Sequence, residues 1–122
     1  MQELTEEAVW ATARAWCDAW NRRDLNAIME LYADDVEFNS PTIVHRWGNE
    51  NGWIRGKDRL RANFEIGVKA PKLRFELIDV LLGVSAMCII YRRETGTLVS
   101  DLIELDQEGR GRRVFSCYSR AR

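Results

Sequence analysis

The spacing of apolar residues changes at Leu73, and this change constrains the fold more than any other feature of the sequence. Before Leu73, apolar residues recur three or four positions apart, which is typical of amphipathic helices. From LRFEL onward they recur at every second position, and strand-like runs follow at 86–93, 97–106 and 112–120. The pattern therefore predicts helices in the first part of the chain and a meander of four strands in the second.

The first part of the chain contains start signals for three helices and one short strand. Thr5 and Asp24 are suitable N-caps for the first two helices, and the third is predicted at 57–68. A strand is predicted at 35–39. The segment PTIVHRWGNENGWIRG is predicted to be a long irregular loop. Loops of this length in small domains are often functional, and this one can act as a lid or as a dimer contact.

Composition describes one ordinary globular domain that spans residues 1–122. Hydrophobic residues make up 46% and charged residues 30%, and the net charge of −1 gives no field that attracts nucleic acid or a membrane surface. The start of the chain, MQELTEEAVW, lacks the basic-then-apolar pattern of an export signal. The three cysteines lack CxxC spacing. We therefore expect a cytoplasmic protein that binds neither nucleic acid nor membrane.

A single histidine, His45, argues against a metal centre, because zinc and non-haem iron sites need several imidazole or thiolate ligands. We expect neither a metal nor a cofactor. If the long loop folds over a pocket, His45 can shuttle a proton at neutral pH; otherwise it is an exposed loop residue. Trp47 and Trp53 lie in the same loop and are predicted to line a ligand site or a dimer contact.

Strand alternation places Asp101 on an apolar face. In TLVSDLIELD, Asp101 shares its face with Val99, Ile103 and Leu105. Burial among aliphatic side chains raises the pKa of a carboxyl group unless a cation or several donors compensate. Asp101 is then either a pocket acid, which acts as proton donor, hydrogen-bond donor or base, or half of a buried ion pair with Arg92 across the hairpin.

Three segments carry a family resemblance: AWNRRDLNAIMELYADDVEF, GKDRLRANF and LRFELIDVLLG. With the order of elements, they resemble the nuclear-transport-factor-2-like superfamily, in its SnoaL-like and ketosteroid-isomerase-like branch. The resemblance implies an α+β, cone-shaped, cystatin-like fold. Three N-terminal helices would pack on a curved, mainly antiparallel sheet in the order α-α-β-α-β-β-β-β. It also implies a homodimer formed through the sheet. It does not determine the activity, because this fold supports many functions.

The same resemblance assigns positions in a site. Ketosteroid isomerases have an aspartate base just before a proline at the end of the short strand. Ser40 stands there, before Pro41, and a hydroxyl group cannot serve as that base. Trp16 takes the place of a hydrogen-bonding tyrosine, and its indole N–H can donate to a substrate. Asp101 matches the carboxylic acid of the oxyanion hole, which an apolar site keeps protonated in that family.

The predicted site has two catalytic candidates, Asp101 and His45. The predicted substrate contacts are Trp16, Phe38, Ser40, Trp53, Phe64, Ser116 and Tyr118. The ligand is expected to be a small, mostly apolar molecule with a carbonyl or hydroxyl group. If the protein is an enzyme, we expect isomerisation, cyclisation or dehydration through Asp101. The alternative is a non-catalytic carrier or interaction module whose interior is filled by its own tryptophans. A cavity of several hundred Å³ would favour the first function, as ligand pockets are about 300–1,000 Å³.

Overall fold

Four helices and one six-stranded sheet make up residues 4–120, the part of the chain that the computed structural model describes. The helices are α1 (Glu6–Asn21), α2 (Leu25–Met29), α3 (Pro41–Trp47) and α4 (Lys57–Gly67). The strands are β1 (Tyr32–Asn39), β2 (Trp53–Arg55), β3 (Phe75–Leu82), β4 (Ala86–Arg93), β5 (Leu98–Leu105) and β6 (Gly111–Tyr118). Residues 1–3 and 121–122 of the predicted 1–122 domain lie outside the described range.

The sheet has the order β2-β1-β6-β5-β4-β3, and the β1–β6 pair is parallel while the other pairs are antiparallel. Helices cover one face of this curved sheet. The α+β class and the mainly antiparallel sheet are thus confirmed. None of the helices within residues 4–120 is long and apolar enough to cross a membrane.

The local start signals act as predicted. The Thr5 Oγ1 atom accepts a hydrogen bond from the Ala8 N–H at 3.1 Å, and the Asp24 Oδ1 atom accepts one from the Ala27 N–H at 3.1 Å. Each side chain satisfies a backbone donor that the first turn of its helix leaves without a partner. The strands β4, β5 and β6 begin and end within two residues of their predicted limits, β3 begins two residues after Leu73, and β1 starts earlier than predicted, at Tyr32.

The segment that was predicted to be one long loop contains α3 and β2, so that prediction is wrong. The Ser40 Oγ atom accepts a hydrogen bond from the Thr42 N–H at 3.2 Å, and Pro41 occupies the first turn, where a proline needs no hydrogen-bond partner. Gly48 ends the helix with a φ of 65°, a conformation that favours glycine. The spacing of apolar residues does not predict this helix, because its 7 residues are too few to show an apolar stripe.

Aromatic side chains fill the space between α1 and the concave face of the sheet. Trp20 stacks on Phe75 with ring centroids 4.8 Å apart, and Phe75 stacks on Tyr91 at 4.5 Å. Trp16 meets Tyr91 edge-to-face at 5.3 Å, and Phe64 of α4 meets Trp20 at 5.0 Å. Each such pair contributes about 0.5–1.5 kcal/mol beyond the burial of its area. This aromatic cluster fixes how much room remains beside Asp101.

Candidate functional site

Asp101 lies at the middle of β5, between Ile89 of β4 and Ser116 of β6. It is 2% exposed, and its neighbours on the same face, Val99 and Ile103, are fully buried. The structure therefore places Asp101 on the inner face, as the alternation of the sequence predicts. A carboxyl group at this position is removed from water on both sides by neighbouring strands.

Burial raises the pKa of Asp101 to about 7, and hydrogen bonds from Ser116 and Tyr91, together with the positive charge of Arg93, only partly oppose this rise. The Ser116 Oγ–H group donates to the Asp101 Oδ1 atom at 2.8 Å. Near neutral pH the carboxyl group is therefore present in both its protonated and its ionised form. A group in this condition can give a proton or take one without a large cost.

Arg92 does not pair with Asp101. Arg92 is exposed and stands opposite Leu98 in the sheet, and its Nη1 atom donates to the Gly96 carbonyl oxygen at 3.0 Å. Within residues 4–120, no Lys or Arg nitrogen lies within 4.0 Å of an Asp101 oxygen. The ion-pair interpretation therefore fails, and Asp101 is an acid with neutral hydrogen-bond partners.

A narrow cavity of about 30 Å³ lies against Asp101. Five of the predicted substrate contacts line it: Trp16, Phe38, Phe64, Ser116 and Tyr118. This volume has room for about one water molecule, and it is far below the range of ordinary ligand pockets. By volume alone, the filled interior favours the non-catalytic alternative.

Trp16 and Trp20 of α1 both line the cavity, but they differ in how their indole N–H groups are used. The Trp16 Nε1–H group donates to the Tyr32 hydroxyl oxygen at 3.1 Å, so this donor is used within the core. Trp20 is not among the predicted site residues, but it is 5% exposed and lines the cavity. Its Nε1 atom has no hydrogen-bond partner among the described residues. A buried donor without a partner costs about 1–3 kcal/mol, and an acceptor atom of a ligand would remove that cost.

Three predicted site residues do not reach the lining of the cavity. Ser40 is 1% exposed and serves as the N-cap of α3. His45 is exposed, because α3 turns Ile43 inward and a residue two positions later points about 200° away. Trp53 has the opposite strand parity to Ile54, which pairs with the buried Phe38.

Trp53 instead packs on the outer face of the sheet. Its ring meets Phe115 edge-to-face at 5.1 Å, and the guanidinium group of Arg113 lies over it at 5.1 Å. Trp53 also borders an outer groove of about 340 Å³, which is separate from the Asp101 cavity. The other residues of this groove are Trp47, Asn49, Ile54, Arg59 and Ala62.

Five polar residues that line the cavity were not among the predicted site residues. These residues are Thr42, Arg46, Asn63, Tyr91 and Arg93. Thr42 and Arg46 belong to α3, which was predicted as loop. Strand alternation could have predicted Tyr91 and Arg93. Both lie on the same face of β4 as the buried residues of AMCIIYRR.

A model of the SnoaL-like domain family matches residues 13–120. The chain belongs to the SnoaL-like family. A SnoaL-like protein of unknown function from Burkholderia thailandensis E264 is 33% identical, with a TM-score of 0.91 over 98% of this chain and 100% of that chain. No curated protein matches this SnoaL-like chain in sequence.

Two more distant structures show the same fold as this SnoaL-like domain. A protein of unknown function with a cystatin-like fold from Methylobium petroleophilum PM1 is 14% identical, with a TM-score of 0.74 over 99% of this chain and 82% of that chain. A proposed ketosteroid isomerase from Kribbella flavida is 20% identical, with a TM-score of 0.67 over 92% of this chain and 78% of that chain.

Proposed function

We propose that the protein binds a small carbonyl or hydroxyl compound beside Asp101 and transfers a proton on it without a cofactor. One observation carries the proposal. A carboxyl group that is 2% exposed and has no cationic partner borders the same cavity as Trp20, whose buried N–H has no acceptor among the described residues. Proteins seldom leave a buried donor without an acceptor beside a buried carboxyl group, and a ligand oxygen that accepts from Trp20 next to Asp101 accounts for both features.

The chemistry available to this site requires only one acid–base group. Ionised Asp101 would take a proton from the carbon next to the ligand carbonyl, which leaves an enolate whose oxygen accepts the N–H of Trp20. Where the ligand carries a C=C bond between its β- and γ-carbons, protonated Asp101 would then return the proton to the γ-carbon of the dienolate. The C=C bond moves to the α,β position as the carbonyl group reforms, so that the net result is an isomerisation. Ser40 takes no part in this route, since its hydroxyl caps α3.

The small volume of the cavity limits the ligand. A space of about 30 Å³ admits only the reacting end of a molecule. The remainder would extend past Thr42 and Arg93, which are partly exposed, and past the exposed Arg46. The aromatic walls are packed on one another and cost much to displace. We therefore favour a slender ligand over a steroid-sized one. The proposed ketosteroid isomerase from Kribbella flavida supports the fold as a scaffold for such chemistry, not the same substrate.

The test is exchange of carbon-bound hydrogen in D2O, with pentan-2-one and cyclohex-2-enone as probes and proton NMR as the readout. We expect the wild-type protein to accelerate exchange next to the carbonyl group and Asp101→Asn to lose the acceleration. Asp35→Asn is the matched control, because Asp35 is exposed on β1. If wild type and Asp101→Asn exchange at the same rate, and neither probe shifts the Trp20 indole N–H resonance, the proposal is refuted.

The second candidate function is self-association through the outer face of the sheet. Leu81, Cys88, Leu102 and Phe115 are successive partners across four strands and form one apolar row. Leu81 is 53% exposed and Leu102 is 42% exposed. An exposed apolar row of this kind is typical of a surface that another protein chain covers. We propose a homodimer that buries this row. Leu102→Lys should convert the dimer to a monomer in analytical ultracentrifugation, and a wild-type protein that sediments as a monomer would contradict it.

We also propose that the protein works in the cytoplasm. Cys17, Cys88 and Cys117 are all unpaired, which suits a compartment that keeps thiols reduced.

A further inference from the structure

The opening of the Asp101 cavity carries a cation without an acidic partner. The Arg46 Nη1 atom donates to the Asn63 side-chain oxygen at 3.0 Å and to the Asn63 carbonyl oxygen at 3.2 Å, and both acceptors are neutral. Within residues 4–120, no carboxylate oxygen lies within 4.0 Å of this guanidinium group. Partial burial lowers the pKa of Arg46, and repulsion by Arg93 lowers it further.

The second guanidinium group at the cavity is already neutralised. Arg93 pairs with Glu94 at 2.9 Å and lies over the Phe75 ring at 4.9 Å. Glu94 accepts two hydrogen bonds from Arg93, so its charge is committed to that residue. Asp101 cannot compensate Arg46 fully either, because near neutral pH it carries a proton for part of the time. The uncompensated charge of the cavity is therefore that of Arg46.

Two lining residues of the cavity have N–H donors that lack an acceptor among the described residues. The Trp20 N–H has no partner, and Arg46 uses one of its nitrogens on Asn63. An Arg guanidinium group has five N–H donors in a planar fork, which matches both oxygens of a carboxylate. A planar carboxylate also fits a narrow opening better than a tetrahedral anion does.

We propose that the ligand is a short oxo acid whose carboxylate pairs with Arg46 at the opening while its carbonyl group reaches Asp101. This inference rests on the proposed function, because it assigns a charge to the ligand of the same site. Asn63 acts as a positioning residue. It is 1% exposed, and its side-chain oxygen accepts both the Arg46 guanidinium and the Trp47 Nε1–H, the latter at 3.3 Å.

The test compares acids with neutral esters of the same shape. The probes are 3-oxobutanoate, 4-oxopentanoate and 5-oxohexanoate, each beside its methyl ester, with affinity taken from the shifts of the Asp101 carboxyl and Trp20 indole resonances. We expect at least one acid to bind about tenfold more tightly than its ester, a difference of about 1.4 kcal/mol, because only the acid pairs with the Arg46 guanidinium group. Arg46→Met should abolish the preference for the acid, and Arg46→Lys should retain part of it.

Two further variants test whether the preference for the acid depends on the unpaired charge of Arg46 and on the Asp101 cavity. Asn63→Asp preserves the acceptor for Arg46 but gives it an internal carboxylate, so it should weaken binding of the acids more than binding of the esters. Arg59→Met is the matched control, because Arg59 is exposed on α4 and borders the outer groove rather than the cavity. It should leave the preference for the acid unchanged.

The outcomes distinguish this inference from the proposed function. If acids and esters move the Asp101 resonance with equal affinity, the carboxylate inference is refuted and the proposed function stands. If neither class moves that resonance, both are refuted. If Arg59→Met removes the preference while Arg46→Met keeps it, the anion binds in the outer groove, and the inference is again overturned.

Discussion

Replacing Asp101 with asparagine should change how the stability of the protein depends on pH. The side chain keeps its shape, and its amide oxygen can still accept the hydrogen bond from Ser116. What disappears is the titration of a carboxyl group whose pKa is raised from 3.8 to about 7 by burial. Between these two values the folded protein holds a proton that the unfolded chain releases, so the contribution of Asp101 to stability falls as pH rises.

The magnitude follows from the size of the shift. The contribution is complete below the unfolded pKa of 3.8 and is lost once the pH has passed the folded pKa of about 7. One pKa unit corresponds to about 1.4 kcal/mol, so the full change is about 4 kcal/mol. Relative to wild type, Asp101→Asn should therefore gain about 4 kcal/mol of unfolding free energy between pH 4 and pH 8. The gain should level off above that range.

Urea denaturation followed by tryptophan fluorescence, at half-unit steps from pH 4 to pH 8.5, measures this difference directly. Asp35→Asn supplies the control, since Asp35 is exposed and should leave the pH profile parallel to that of wild type. A flat difference between Asp101→Asn and wild type would show that Asp101 has an ordinary pKa. A difference of opposite sign would show that its hydrogen bonds hold it as an anion. Either result would refute the assignment of Asp101 as a neutral pocket acid.

Three other perturbations test separate parts of the structure. Ser40→Ala removes the N-cap of α3 and should cost about 1 kcal/mol of unfolding free energy, whereas Ser40→Asp should retain the cap. Urea denaturation measures the stability of both variants. Equal stability of the wild type and the two variants would contradict the capping role of Ser40. Gly48→Ala places a side chain at a φ of 65° and should destabilise the protein by about 1 kcal/mol, which a lower thermal midpoint would report. Burial raises the pKa of Cys17 to about 12, so iodoacetamide at pH 8 should modify the exposed Cys117 and spare Cys17. Peptide mass spectrometry checks this, and rapid labelling of Cys17 would contradict its burial.

Local rules account for the parts of the fold that were predicted correctly. Thr5 and Asp24 cap helices through contacts three residues away, and the inner face of β5 follows from the two-residue period of a strand. The helix α3 was missed although its signals, Ser40-Pro41 at the start and Gly48 at the end, are equally local. These cap residues predict α3 where periodicity does not, and α3 carries Thr42 and Arg46.

The sequence by itself determined that helices precede an antiparallel sheet and that Asp101 faces the core, because both depend on the spacing of side chains along one segment. Only the tertiary structure decided what surrounds Asp101. The register of β4 against β5 directs Arg92 outward, and α1 packs its tryptophans against β3 and β4 until about 30 Å³ remains. The neutral partners of Arg46 likewise come from α4, 17 residues further along the chain. Such distances are set by the packing of several elements at once, and no pattern within a single element contains them.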